Sequence, residues 1–217
     1  SYAFKNELQS FFGRLNYGYA DKYLLTATMR ADGSSKFGAN NKYGYFPSVA
    51  LGWNISKEDI LADSDVVNNL KLRASWGQTG NQEGIDNKVS LASFIDSKAD
   101  NDTYPLDPNA STIDDYPFGT VPARTANPDL KWEVSTQTNI GLDFGLFNSK
   151  LTGTLDYFHK VTSDVVLLAN RIDPIQPTPK IWTNIPDMEI INSGLEVALD
   201  YRILLAEDFM LNLGGNM

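Results

Sequence analysis

Residues 132–144 read Trp-Glu-Val-Ser-Thr-Gln-Thr-Asn-Ile-Gly-Leu-Asp-Phe, and this stretch decides the fold prediction for the whole chain. Its even-numbered positions, from Trp132 through Ile140 to Phe144, are aromatic, aliphatic or threonine, whereas the odd-numbered positions are polar or glycine. Because successive side chains of a β-strand point to opposite faces, the stretch predicts a strand with one apolar and one polar face. It exceeds the usual globular strand of about 5–6 residues. The pattern is typical of a strand with lipid on one side and water on the other.

The same alternation recurs along the chain and predicts about eight antiparallel strands. We place them at Leu8–Tyr19, Tyr23–Arg30, Tyr45–Ile55, Leu70–Trp76, Trp132–Phe144, from Leu151, from Leu195 to Ile203 and from Phe209. The connections at 20–22, 147–150 and 206–208 are short. Those at about 33–44, 77–131 and 169–192 are long, and the one at 57–68 is moderate. In it, Ser56 resembles the N-cap of a short helix through Leu61.

The lengths of the connections indicate which end of the predicted sheet faces which side of the membrane. Up-and-down outer-membrane barrels have short periplasmic turns and longer extracellular loops, so we expect the three long connections to be extracellular. Aromatic residues cluster near the short-turn end, as in the aromatic girdle of a membrane interface, namely Tyr17, Tyr19, Tyr23, Trp53, Phe144, Tyr201 and Phe209. The predicted fold class is therefore all-β, an antiparallel up-and-down transmembrane barrel segment. A soluble β-sandwich is the alternative, because alternation alone does not separate the two.

Composition limits the classes of function. The chain has 217 residues and a net charge of −9, which disfavours binding to nucleic acid because phosphate contacts need a basic surface. It has no Cys, so disulfides, thiolate metal sites and cysteine nucleophiles are excluded. No secretory signal precedes the first strand, and the chain stops inside a strand. We therefore expect an internal piece of a larger polypeptide.

Several segments also resemble one family. They are Phe12-Gly13-Arg14-Leu15-Asn16-Tyr17, Lys22-Tyr23-Leu24-Leu25, Arg30-Ala31-Asp32-Gly33-Ser34-Ser35-Lys36-Phe37-Gly38, Phe46-Pro47-Ser48, Trp53-Asn54-Ile55-Ser56, Leu70-Lys71-Leu72-Arg73-Ala74-Ser75-Trp76-Gly77-Gln78-Thr79-Gly80-Asn81, Asn127-Pro128-Asp129-Leu130-Lys131-Trp132-Glu133 and Asn192-Ser193-Gly194-Leu195-Glu196. In this order, and over most of the chain, they resemble the barrel of SusC/RagA-type TonB-dependent outer-membrane transporters of Bacteroidetes.

The resemblance implies a larger assembly in the outer membrane of a Gram-negative bacterium. It implies a barrel of about 22 strands with an N-terminal plug domain, which this chain lacks, and energy delivered by TonB through that plug. It also implies a SusD-like surface lipoprotein that covers the barrel and hands over large nutrients, usually oligosaccharides and sometimes peptides. Since eight strands cannot close at that diameter, we expect the remaining barrel strands to pair with the edges of this segment.

Two groups of residues are candidates for contact with a transported molecule. Four aromatic residues fall in long connections, where rings can stack on sugars, meet a lid protein or simply pack the loops together: Tyr104, Tyr116, Phe118 and Trp182. Charged residues at polar-face positions are expected to line the lumen and to form cross-strand ion pairs. They are Arg14, Arg30, Lys71, Arg73, Glu133, Asp143, Glu196, Asp200 and Arg202.

Catalysis and cofactors are not expected. His159 is the only histidine, and neither acid–base partners nor a Ser-His-Asp motif accompany it. The stretch Asp100-Asn101-Asp102 fails the EF-hand pattern, because Pro105 and Ser111 stand where Gly and Glu are required. A looser loop calcium site stays open, with Asp96, Asp107, Asp114 or Asp115 as ligands. We expect no other metal or cofactor.

Three functions are compatible with these observations. The first is the barrel portion of an energised importer of large nutrients. The second is a passive structural or adhesive outer-membrane barrel, and the third is a soluble carbohydrate-binding β-sandwich. Dependence on detergent for extraction separates the first two from the third, and dependence of uptake on the TonB motor separates the first from the second.

Overall fold

The computed structural model describes residues 5–61, 64–97, 119–170, 180–206 and 209–217. In these ranges the chain forms twelve strands: β1 (Leu8–Tyr19), β2 (Tyr23–Ser34), β3 (Tyr43–Asn54), β4 (Val67–Asn81), β5 (Ser93–Ser97), β6 (Gly119–Arg124), β7 (Glu133–Leu146), β8 (Leu151–Ser163), β9 (Val166–Asn170), β10 (Lys180–Asn184), β11 (Ile190–Ala206) and β12 (Phe209–Asn216).

Eight of these strands form one antiparallel sheet in the order β1-β2-β3-β4-β7-β8-β11-β12. Each strand therefore pairs with the main-sheet strand before it and the one after it, which confirms the predicted up-and-down arrangement of eight strands. The sheet is open, with β1 and β12 at its edges. The four remaining strands form two small hairpin sheets in the long connections, β5 with β6 and β9 with β10.

Several predicted strands were too short. β2 continues to Ser34 rather than Arg30, and β4 runs from Val67 to Asn81 rather than from Leu70 to Trp76. The extension of β4 through Gly80 pairs residue by residue with β7 as far as Glu133. Polar and glycine residues there suggested a loop, but the ladder with β7 supplies hydrogen bonds that the composition does not reveal.

The predicted helix after Ser56 was also wrong. The chain makes only a 3₁₀ turn over Ile55–Lys57, preceded by Asn54 without a side-chain cap, and Glu58 is already extended. The long connections are not wholly irregular either, because they hold the two hairpins. β8 ends at Ser163, and the φ of 56° at the next residue, Asp164, breaks the ladder before β9 leaves the main sheet.

Apolar side chains of the main sheet share one face that nothing in the described ranges covers. A single cross-strand row carries them over seven strands: Tyr19, Tyr23, Trp53, Leu72, Leu142, Leu155 and Val197. Leu15 is 62% exposed and Leu195 66% exposed. A sandwich would bury such residues under a second sheet, so the described part of the chain contradicts the sandwich alternative.

The buried core lies at the long-connection end of the sheet, where residues of the connections pack against Phe46 of β3. Six buried residues form it, and we call this group the loop core: Phe37, Phe46, Ile85, Val89, Leu130 and Trp132. Val134, Val166 and Trp182 pack against it. In the described ranges, no helix is long and apolar enough to cross a membrane.

Candidate functional site

The polar face of the main sheet carries the functional candidates, and we call it the polar wall. In the half of the wall nearer the long connections lies a groove of about 590 Å³. Hydroxyl and carboxamide side chains from four strands contribute to its lining: Thr26, Thr28, Ser48, Ser75, Gln137 and Asn139. The register explains the convergence, because Thr26 lies opposite Ala50, Ala50 opposite Ser75, and Ser75 opposite Asn139.

Uncharged hydrogen-bonding side chains line this groove together with the apolar residues Phe46, Val49 and Trp76. The amide of Asn139 donates to Ser75 Oγ at 3.3 Å, and Gln137 Nε2 donates to Asn139 Oδ1 at 2.9 Å. Arg30 is the cation at the groove, and its Nε donates to Asp32 Oδ2 at 2.6 Å. Since this ion pair neutralises both charges, the groove presents hydroxyls and amides to whatever enters it.

An ion cluster occupies the half of the wall nearer the short turns. Arg73 Nε and Nη2 donate to Asp143 at 2.8–3.0 Å, and Nη2 also donates to Asp156 Oδ1 at 2.9 Å. The three residues come from β4, β7 and β8, and Gly141 lies between them in the register. A Cβ at Gly141 would be 2.1 Å from Asp156 Oδ1 and 2.7 Å from Arg73 Nη2. Glycine at this position therefore provides the space in which the ion cluster forms.

The predicted lumen-lining residues all belong to the polar wall by register. Arg14 donates to Thr28 Oγ1 at 3.2 Å, and Glu133 accepts a bond from Asn81 at 2.9 Å. Glu196 and Arg202 are exposed on β11. The structure brings Arg73 together with Asp143 as a cross-strand pair, whereas Arg14, Glu133 and Arg202 lie apart from this cluster. That these residues line a lumen stays a prediction.

The loop core is tied together by backbone contacts between distant segments. The connection after β2 meets residues 127–132: Gly38 N donates to Leu130 O at 2.8 Å, and Asn40 N to Pro128 O at 3.1 Å. A Cβ at Gly38 would lie 2.0 Å from Pro128 O, so only glycine permits this approach. The ring of Phe37 lies 4.4 Å from that of Trp132. These contacts thus hold together two segments that carry the family resemblance, residues 30–38 and 127–133.

Two further connections join the same unit. Lys36 Nζ donates to Gln82 O at 3.3 Å and to Ile85 O at 2.9 Å. Asn127 Nδ2 donates to Trp182 O at 2.8 Å, and Asn184 Nδ2 donates to Lys131 O at 2.9 Å. The segments around residues 35–42, 82–92, 125–132 and 180–185 therefore form one packed layer above the groove.

Among the aromatic candidates, Trp182 lies partly buried on β10 against the loop core. Tyr104, Tyr116 and Phe118 lie outside the described residues, as do the calcium candidates Asp107, Asp114 and Asp115. Within the described ranges, no group of three or more acidic, histidine or cysteine side chains is arranged to hold a metal ion. His159 faces the apolar side, opposite Thr138 and Ser193.

Sequence reasoning missed four residues that organise these regions: Asp32, Gly141, Asp156 and Lys36. Asp32 and Asp156 occupy polar positions in alternating strands, so the alternation alone assigns both side chains to the polar face. Their partners could not be predicted, because cross-strand register depends on the lengths of the connections. Lys36 could not be found from pattern, since its ammonium group donates to backbone carbonyls 46 and 49 residues away.

This chain is similar to known proteins over its whole length. The family described as TonB dependent receptor-like, beta-barrel matches residues 1–217. TonB-dependent receptor SusC of Bacteroides thetaiotaomicron is 37% identical over 217 residues, which are 100% of this chain and 21% of that protein. TonB-dependent receptor P3 of Formosa agariphila is 39% identical over 216 residues, or 100% of this chain and 20% of the relative. The chain thus spans about one fifth of the length of these relatives.

Solved structures give the same result for the fold. The RagAB peptide importer in its open-open state superposes with a TM-score of 0.80 at 26% identity, over 97% of this chain and 21% of that one. The siderophore receptor PirA from Pseudomonas aeruginosa gives a TM-score of 0.53 at 16% identity, over 98% of this chain and 34% of the receptor. The second likeness concerns the fold alone.

Proposed function

The chain belongs to the TonB-dependent receptor β-barrel family, and on this premise we propose that it forms part of the wall of an outer-membrane transporter in a Gram-negative bacterium. The complete protein imports large nutrients, either oligosaccharides or peptides. Its energy comes from TonB through a plug region outside this segment. A SusD-like surface lipoprotein delivers the nutrient, and strands outside this segment complete the barrel.

One observation carries this proposal, namely the two-faced main sheet. Its apolar face is exposed along the strands, and its polar face holds the uncharged groove and the ion cluster. Such a sheet is stable when lipid covers the first face and an aqueous pathway follows the second. The open edges at β1 and β12 fit pairing with further barrel strands, because unpaired edges invite hydrogen bonding with another strand.

The chemistry of the groove supports a neutral, hydrogen-bonding nutrient. Hydroxyls and carboxamides both donate and accept, as sugar hydroxyls and peptide amides require. The RagAB structures are described as those of a peptide importer, whereas oligosaccharides follow from the family resemblance. The groove accommodates either class, so we propose both as candidate substrates.

The loop core supports the proposed lipoprotein partner. Four connections packed into one layer form a firm base at the mouth of the barrel, on which a lid protein can rest. We propose that Tyr104, Tyr116, Phe118 and Trp182 serve as lid or nutrient contacts. Trp182 meets this requirement only in part, because it also packs against the loop core.

The experiment uses the full-length transporter in the bacterium that encodes it. Uptake is measured on a panel of neutral oligosaccharides and peptides, before and after deletion of the TonB motor. Ser75→Arg places a bulky cation in the groove, and Asn212→Arg makes the same kind of change on the polar wall of β12. We expect normal surface levels of both variants, and loss of uptake for Ser75→Arg alone.

Two results would contradict the proposal. Uptake that persists without the TonB motor would favour the passive barrel, and normal uptake by Ser75→Arg would exclude the groove from the transport path.

A further inference from the structure

The long connection between β4 and β7 holds a second pocket, which shares no lining residue with the groove on the polar wall. Its volume is about 530 Å³, within the range of roughly 300–1,000 Å³ that is usual for sites of small ligands. Residues 86–88 and 91–93 form most of its wall. Arg124 completes the wall at the base of the β5–β6 hairpin, where it pairs with Ser93. We call it the hairpin pocket.

Two backbone carbonyls fix the guanidinium group of Arg124 in this pocket. Its Nε donates to Leu91 O at 3.1 Å, and its Nη2 donates to Lys88 O at 2.9 Å. Lys88 has a φ of 58°, a left-handed conformation that is uncommon for a residue other than glycine. The next residue, Val89, is completely buried in the loop core, so both carbonyls belong to an anchored turn. The plane of the guanidinium is therefore set before any ligand arrives.

The hairpin pocket carries more positive than negative charge. Arg124 and the exposed Lys88 both line it, and no carboxylate of the described residues lies within ion-pair distance of either cation. Carbonyl oxygens are neutral, so the two bonds to Arg124 leave its charge in place. Asp86 is the one acid in the described lining, so the pocket is positive overall in a chain whose net charge is −9. Arg30 and Arg73, by contrast, each hold an aspartate.

We propose that the hairpin pocket binds a carboxylate at one end of the nutrient, and that Arg124 and Lys88 are the residues that select it. A guanidinium group has five N–H donors. The two carbonyls use one edge of it, and the N–H groups of Nη1 and Nη2 along another edge match the two oxygens of a carboxylate. Leu91 is exposed in the same wall and offers an apolar contact to the unit that bears the acid.

Such a carboxylate has two chemical sources, the C-terminus of a peptide and a uronic acid unit of an oligosaccharide. In both, the uncharged remainder suits the neutral lining of the groove on the polar wall, whereas the acidic end suits the hairpin pocket. The inference therefore rests on the proposed function, and it adds to that function a preference for a nutrient with one acidic end.

Uptake of matched pairs by cells that carry the full-length transporter tests the inference. One pair is a neutral, N-acetylated hexapeptide with a free or an amidated C-terminus. The other pair is a hexasaccharide of glucose that ends either in glucuronate or in glucose. We expect the acidic member of at least one pair to have a KM about tenfold lower than that of its neutral counterpart, because the bond to Arg124 is charge-assisted. The pair that shows this difference identifies the source of the carboxylate.

Four variants separate recognition from structure, with surface levels measured for each. Arg124→Gln should abolish the preference for the acidic member. Lys88→Gln, whose side chain bonds to none of the described residues, should reduce the preference about threefold. Asp86→Asn should strengthen it, a gain that a merely structural role of the turn would not produce. Lys42→Gln is the matched control, because it removes an exposed lysine at the same end of the sheet but outside the pocket. The KM of the neutral member should stay the same throughout.

Two results would overturn the inference: uptake that is the same for both members of each pair, whether measurable or absent, and a preference that survives in both Arg124→Gln and Lys88→Gln. If the neutral members still enter only when the TonB motor is present, the proposed function stands and this inference alone fails. Entry of both members without the motor would contradict the proposed function itself.

Discussion

At the scale of single residues, the ion cluster on the polar wall forms where Gly141 leaves space for it. Arg73 reaches Asp143 and Asp156 across three strands, and the space between them exists because residue 141 has no Cβ. The side chains of the three ions are 38%, 25% and 24% exposed, so solvent weakens their attraction, and geometry decides whether the pairs form.

Gly141→Ala should disturb this cluster without moving the backbone. The atoms nearest to the added Cβ are at the ends of the Asp156 and Arg73 side chains, which must swing away and lose their bonds. We expect the free energy of unfolding to fall by about 1 kcal/mol, as measured by urea denaturation of the full-length protein. Gly13→Ala is the control, because a Cβ there meets nothing within 4 Å.

A double-mutant cycle identifies the cause. If the cost of Gly141→Ala arises from the displaced ion pair, it should largely disappear when Asp156 is already alanine. An equal cost in both backgrounds would assign it to the backbone instead.

At the scale of elements, the loop core holds the largest fully buried side chains of the described chain, although five of its six residues lie in connections. Phe37 is 1% exposed, and Leu130 and Val89 are completely buried. The four segments that supply this core are far apart in sequence. Backbone hydrogen bonds at Gly38 and Asn40 join two of them. Side-chain bonds from Lys36, Asn127 and Asn184 join the other two.

Phe37→Ala should loosen these connections as a unit. Removing a buried phenylalanine costs about 3–5 kcal/mol, and here the loss should appear as faster hydrogen exchange of the Gly38 and Asn40 amides. Phe94→Ala, on the 62% exposed ring in β5, should leave those amides unchanged. Unaltered protection in Phe37→Ala would contradict the view that the connections share one core.

The sequence predicted the main-sheet strands better than it predicted the packing of the connections. Two-residue alternation identified all eight main-sheet strands, and the predicted bounds of β1, Leu8 and Tyr19, equal the observed ones. Alternation depends only on which face each residue of a strand occupies, so it can be recognised from the local sequence. The end of β4 was missed, since Gln78 to Asn81 are in a strand only through pairing with β7. The loop core was missed for a related reason: Phe37 and Trp132 are neighbours in space but not in the pattern.

At the scale of the whole molecule, the two faces of the main sheet determine where the protein is proposed to lie. The charged residues predicted on the polar face occupy the positions that the two-residue alternation gives them, from Arg14 on β1 to Arg202 on β11. The residues that they bond could be identified only from the strand register. The nutrient could not be identified, because the chain spans only about one fifth of the length of the curated relatives it matches. Family membership and the exposed apolar face together lead to the proposed place in the membrane.

Accessibility along β7 tests this central proposal most directly. In the full-length protein reconstituted in phospholipid vesicles, single spin labels are introduced in turn from Glu133 to Leu146, and their collisions with oxygen and with a water-soluble nickel complex are measured. We expect alternation with a period of two: oxygen, which concentrates in hydrocarbon, should dominate at Thr138, Ile140 and Leu142, and nickel at Gln137, Asn139 and Asp143. Equal access of the nickel complex to both sets, or exclusion of both reagents from the Ile140 set, would contradict the account.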